Sequence, residues 1–113
     1  MRGDIYSIFF MKYVVFMSKK LKKTPISEAR NLGQVSEFEF ATLGVHYLED
    51  IEAIGWQEFC VRYIEMYPNR LNLNAFTAII GALYDQDWRT IDSYLKLKAR
   101  QLIKQIKMAG FNC

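Results

Sequence analysis

The sequence predicts an all-α fold, a compact bundle of five or six short helices, on three observations. Apolar residues recur at helical spacing in one segment after another, as in Leu48, Ile51 and Ile54 or in Leu95, Ala99, Leu102 and Ile106. Proline is confined to Pro25 and Pro68, and glycine falls mostly between the periodic segments, which suits helices joined by short turns. Half of the 113 residues are apolar and 15% are aromatic, ample for a core in a chain whose length fits one domain.

Regular structure is expected after Pro25, with a short helical turn from Ile26 to Arg30 ended by Asn31-Leu32-Gly33. A second helix runs from about Val35 to Leu43. Ser36 and Glu39 stand at capping-box spacing near its start. Phe38 and Leu43, with Phe40 or Ala41, supply its apolar side, and Gly44 is the left-handed stop. Tyr47 to Ile54 makes a third helix with Glu49, Asp50 and Glu52 on its outer side, closed by Gly55.

Trp56 to Met66 reads as a fourth helix, stopped at Tyr67 because the residue before proline is pushed out of the α region. Leu73 to Tyr84 is apolar nearly all round and belongs at the centre, with Asn72 or Asn74 as its cap. Gly81 within it costs about 1 kcal/mol relative to alanine, which close approach of a neighbouring helix would explain. Asp85-Gln86-Asp87 is a turn, and Trp88 is expected to fold back onto the core. The last helix starts at Thr90 or Asp92 and ends near Lys107. The boundaries that follow are 1–24 for an N-terminal extension, 25–108 for the domain and 109–113 for a tail.

The net charge of +3 conceals a basic, acidic, basic division. Residues 1–30 hold seven basic and two acidic side chains, residues 31–69 one and seven, and residues 70–113 seven and three. The middle segment therefore sums to −6 and is a poor surface for a polyanion. Lys96, Lys98, Arg100, Lys104 and Lys107, helped by the Lys19–Lys23 cluster, are the candidate nucleic-acid contacts. A solvated amphipathic face is the plainer reading of the same helix. Glu49, Asp50 and Glu52 are the candidate docking residues for a basic partner protein, or equally an ordinary solvent-facing side.

Little else suggests chemistry. Cys60 lies in a helical segment and Cys113 ends the chain, so a disulfide scaffold is not expected and a reducing, cytoplasmic setting is. His46 is the sole histidine and no Cys-x-x-Cys pair occurs, so no metal site is expected. The pairs Glu37/Glu39 and Asp85/Asp87 sit on an exposed helix start and in a turn, and no phosphate loop is present. Trp56, Phe59, Phe76 and Trp88 read as core aromatics rather than a ligand cage. No cofactor, small-molecule substrate or catalytic residue is expected. The apolar run Ile5–Met17 is too short for a membrane span. It reads first as an extension upstream of a start at Met11 or Met17 or as a disordered tail, then as a strand or helix packed on the domain, and last as a membrane contact.

Residues 26–107 resemble the C-terminal domain of the TfoX/Sxy family, the competence regulators of bacteria. The residues that carry the resemblance are Arg30-Asn31-Leu32-Gly33, Gly44-Val45, Leu48 through Gly55, Leu73-Asn74, Ala78, Gly81-Ala82-Leu83 and Trp88. Their order and spacing, rather than any single string, make the match. The family's usual N-terminal α/β domain has no counterpart in this sequence, which looks like a stand-alone copy of the C-terminal module. The resemblance implies a helix-hairpin-helix-like N-terminal half, with Gly33, Gly44, Gly55, Gly81 and Trp88 as hairpin and packing residues, and a regulatory or DNA-associated role. The family often has Gly-Pro-Lys at the hairpin where this chain has Gly33-Gln34-Val35, followed by Glu37 and Glu39. The expectation is a non-enzymatic regulatory adaptor acting through protein contacts, with weak sequence-independent DNA binding through the last helix as the alternative.

Overall fold

Asn72 opens the helix on which the others are arranged. Its side-chain oxygen accepts from the Ala75 amide at 2.8 Å, which satisfies a donor that the first turn leaves unpaired. In the computed structural model, which describes residues 23–110, five α-helices follow one another: α1 (Gln34–Ala41), α2 (Leu48–Ile54), α3 (Trp56–Met66), α4 (Leu73–Tyr84) and α5 (Ser93–Met108). Single 3-10 turns at Ile26–Glu28, Pro68–Arg70 and Trp88–Thr90 complete the set. No strand occurs among the described residues, only an isolated bridge between Pro25 and Tyr47. The fold is all-α, as the periodicity predicts.

α4 holds the centre, with Phe76, Thr77, Ile79, Ile80, Gly81 and Ala82 buried. It meets α2, α3, α5 and the Trp88–Thr90 turn. Helix α1 joins the core through one residue above all: Phe40 meets Phe59 edge-on at 4.8 Å and Tyr63 at 5.0 Å. Such ring pairs add about 1 kcal/mol beyond area burial. Phe38, expected on the apolar side, is 70% exposed. Two helical residues separated by one position point to different sides, and the core takes Phe40. Trp56, Phe59 and Phe76 are buried as core aromatics, whereas Trp88 is only half-buried.

The start of α1 differs from the expected capping box. Gly33 is the cap, and Glu39 does not reach back to Ser36, because Tyr63 and Arg70 hold its carboxylate in the interior. A carboxylate that reaches back is found one helix later. Asp50 accepts from the His46 and Tyr47 amides at 3.1 Å each, closing the start of α2. α2 and α3 share Gly55, whose φ of +93° turns the chain between them, and Gly44 at +78° ends the turn after α1.

Gly33 has an extended backbone, and a side chain there would meet nothing within 4 Å. The left-handed residue of that turn is Asn31, at φ +72°. Asparagine tolerates this region because its short polar side chain bonds locally. Here it bonds far along the chain. Nδ2 donates to the Gln86 carbonyl at 2.7 Å and to the Ala78 carbonyl at 3.4 Å, and Oδ1 accepts from the Trp88 amide at 3.2 Å. Arg30 pairs with Asp85 alongside, at 3.3 Å. Gly81 is what lets this happen, since a Cβ there would lie 2.4 Å from the Gln86 oxygen and 2.5 Å from the Asn31 amide nitrogen.

Replacement of Gly81 by alanine should therefore destabilise the domain by about 2–3 kcal/mol through steric displacement and loss of Asn31 bonds. An unconstrained helical glycine would instead gain about 1 kcal/mol from the same change. Urea denaturation of G81A reads the sign. N31G, which keeps the backbone conformation free of strain, should lose about 2 kcal/mol from the side-chain bonds alone, and N31A about 1 kcal/mol more.

Candidate functional site

The amphipathic pattern of α5 fixes which of its residues face outward. Ala99 and Ile106 are buried, and Leu95, Leu102 and Ile103 are partly buried against the core. Asp92 caps the helix, its carboxylate accepting from the Tyr94 amide at 2.8 Å, and its backbone amide is held by the Gln86 side chain. With that rotation set, Lys96, Arg100, Lys104 and Lys107 fall at i, i+4, i+8 and i+11 along one flank. Among the described residues no carboxylate lies within ion-pair distance of any of the four. Lys98 is set apart on the other flank, its ammonium 5.6 Å from the Tyr94 ring centre. The five candidate nucleic-acid contacts thus divide into a row of four and one outlier. Tyr94, Leu97 and Met108 are exposed on the same helix.

The basic row borders an open cleft of about 650 Å³ between the start of α4 and the end of α5. Arg100, Lys104 and Lys107 form one wall. Leu71, Leu73, Ile103 and Met108 supply apolar surface, with Asn72 at the rim. Sequence reasoning found the cations from their spacing but missed Leu71, Leu73, Ile103 and Met108. No local pattern reveals that the two ends meet.

The acidic candidates are placed differently from a free docking face. Glu49 is bidentate to Thr24, accepting from its amide at 2.8 Å and its hydroxyl at 3.1 Å. Asp50 is occupied at the start of α2. Glu52 alone of the three is exposed, beside an open depression of about 480 Å³ shared with Trp56 and Tyr84. Two of the three carboxylates therefore close local structure. His46 is exposed, its carbonyl accepting from Ile26 and its amide bonded to Asp50. Of the Lys19–Lys23 cluster only Lys23 is described, with its ammonium 5.4 Å from the Tyr47 ring centre; the rest, residues 1–17 and Cys113 lie outside the described residues.

The sum of −6 over residues 31–69 overstates the negative surface. Glu39 is buried, and Arg70, one residue beyond that segment, reaches it with two donors at 3.1 and 2.6 Å. Tyr63 donates to the same carboxylate through its hydroxyl. Arg62, already counted in that sum, pairs with Glu58 at 3.0 Å, and Glu37 accepts from the Ser27 hydroxyl. The expectation that Glu37 and Glu39 both present free charge beside the Gly33 turn is corrected for Glu39. The Arg70 guanidinium holds its carboxyl below the ordinary value of 4.5, against the opposing push of burial, and Tyr63 lowers it further. Burial and the adjacent carboxylate push the Tyr63 phenol up. Burial alone raises the Cys60 thiol, which leaves it protonated and inert.

Among the described residues no cluster of three or more His, Cys, Asp or Glu is placed to hold a metal ion. No helix among them is long and apolar enough to cross a membrane. Comparisons with protein-family models, with curated proteins and with solved structures find no match to this chain.

Because folding favours the ionised form of Glu39, its contribution is complete above the ordinary carboxylate range and drains away as the pH falls through the lowered folded value. E39Q should cost about 1–2 kcal/mol at neutral pH, less than a fully buried pair because the Arg70 side chain remains 35% exposed. The gap between wild type and E39Q should narrow as the pH drops below about 4.5, as followed by denaturant titration.

Proposed function

We propose that this chain is a non-enzymatic regulatory adaptor module of the kind its TfoX/Sxy resemblance implies, acting through protein contacts made by its last helix. The observation that carries the reading is the row Lys96, Arg100, Lys104 and Lys107, without an ion-pair partner among the described residues, beside an open cleft with apolar surface. Cations with no competing carboxylate at hand attract an acidic partner and fix its register. The apolar surface beside them offers burial that solvent alone does not use. Docking therefore belongs to the basic helix rather than to Glu49 and Asp50, whose carboxylates are engaged in closing local structure.

Asn31 bonds to Ala78, Gln86 and Trp88, and Arg30 pairs with Asp85, so several of the residues that carry the resemblance meet at one junction. That accounts for their spacing through packing and assigns them no chemistry. Cys60, a free buried thiol and the one cysteine among the described residues, fits the reducing cytoplasm that such a regulator occupies.

Sequence-independent DNA binding is the second reading, favoured by the same four cations at regular spacing. The two readings separate in one pair of measurements. The adaptor retains a specific partner in a pull-down that R100E/K104E loses, and it gives no DNA mobility shift at about 150 mM salt. DNA binding gives a shift that fades steeply between about 50 and 200 mM salt and disappears in the same variant. Both substitutions are exposed, so the variant should keep wild-type stability within about 0.5 kcal/mol.

A further inference from the structure

The basic row and the apolar surface beside it are one site with two chemistries. Arg100, Lys104 and Lys107 stand at i, i+4 and i+7, and Ile103 and Met108 stand between and beyond them. From Arg100 to Met108 the helix rises about 12 Å, so α5 lines this trough over about two turns. Leu71 and Leu73 form its opposite side. Among the described residues no acidic side chain lines it.

From this geometry we infer that the trough between the start of α4 and the end of α5 binds an acidic amphipathic helix of a partner protein. The inference rests on the adaptor reading above and adds the chemistry of the partner. A helix laid along the trough repeats the rise of α5. Its carboxylates at i, i+4 and i+7 then face Arg100, Lys104 and Lys107 in register. Leucine-sized side chains on the adjoining stripe enter between Leu71, Leu73 and Ile103. The charges set direction and register, while the apolar side chains provide most of the affinity. A phosphate backbone matches the cations but leaves the apolar side uncovered. A second copy docked α5 to α5 brings the basic rows together and is repelled.

The test uses the full chain and a synthetic helical peptide of about five turns. The peptide has glutamates at i, i+4 and i+7 and leucines on the neighbouring stripe. A second peptide keeps the glutamates and carries serine for leucine. Fluorescence anisotropy at about 150 mM salt, where surface charge alone is screened within about 8 Å, reads affinity. Amide chemical shifts of the labelled protein read location. The expected result is binding by the first peptide, with shift changes confined to the 71–73 and 100–108 segments. Affinity should fall at least about tenfold, or 1.4 kcal/mol, for the serine peptide and for R100E/K104E. K98E, on the far flank, should bind as wild type does. R100Q/K104Q repeats the comparison without charge reversal.

Equal binding of the two peptides, shifts elsewhere, or no binding overturns the acidic-helix inference. The adaptor reading survives that failure if wild type retains a specific partner in a pull-down that R100E/K104E loses, since the same cations then dock a partner of another shape. A short DNA duplex that binds the trough in place of the peptide and weakens with salt overturns both.

Discussion

Asn31 ties the first third of the domain to the segment that leads into the last helix. Its side chain uses donor and acceptor ends on partners 47 to 57 residues away. Three independent conditions meet there: a left-handed backbone at Asn31, the absence of a Cβ at Gly81, and a chain turn at Asp85, itself left-handed at φ +57°. Closing loops of this length costs conformational entropy that short-range turns do not, and several convergent hydrogen bonds together offset it. The turn after α4 and the Trp88–Thr90 turn inherit their positions from this junction, and through them so does α5.

Where the chemistry is local, the sequence is transparent. Helices α3 and α4 begin and end where spacing, Pro68 and Asn72 place them, because each signal acts within a few residues. Gly44 and Gly55 are legible for the same reason. What escapes is what depends on a distant partner. Glu39 resembles a surface capping residue until Arg70, 31 residues later, draws it inward. Phe38 and Phe40 look equivalent until Phe59 and Tyr63 select one of them. The acidic run of α2 looks like a free face, yet Asp50 stands at the third helical position, where a carboxylate returns to the chain before the helix. The cations of α5 are visible at their spacing. The surface that gives them meaning exists only once Leu71 and Leu73 come to lie beside Ile103.

The two charge classes of the domain are used differently. Most carboxylates of the middle segment are spent on the molecule itself, closing helices, anchoring Thr24 and holding Arg70. The cations of α5 are left unspent. A sum of formal charges cannot separate these cases, since both groups count equally in it. Burial and hydrogen bonding decide which of them a visiting molecule can feel.

Helix α5 leans chiefly on α4, and Leu102 and Ile106 of its second half line an open depression of about 390 Å³ together with Val61 and Ile64 of α3. A helix attached mainly along one side opens at a lower free-energy cost than the centre of the core, and its backbone amides should exchange with solvent through that partial opening rather than through global unfolding. Anything that bridges the start of α4 to the end of α5 opposes the same opening. Occupancy of the trough and closure of the helix are then a single equilibrium, so the molecule would report capture of its visitor as a local loss of breathing motion.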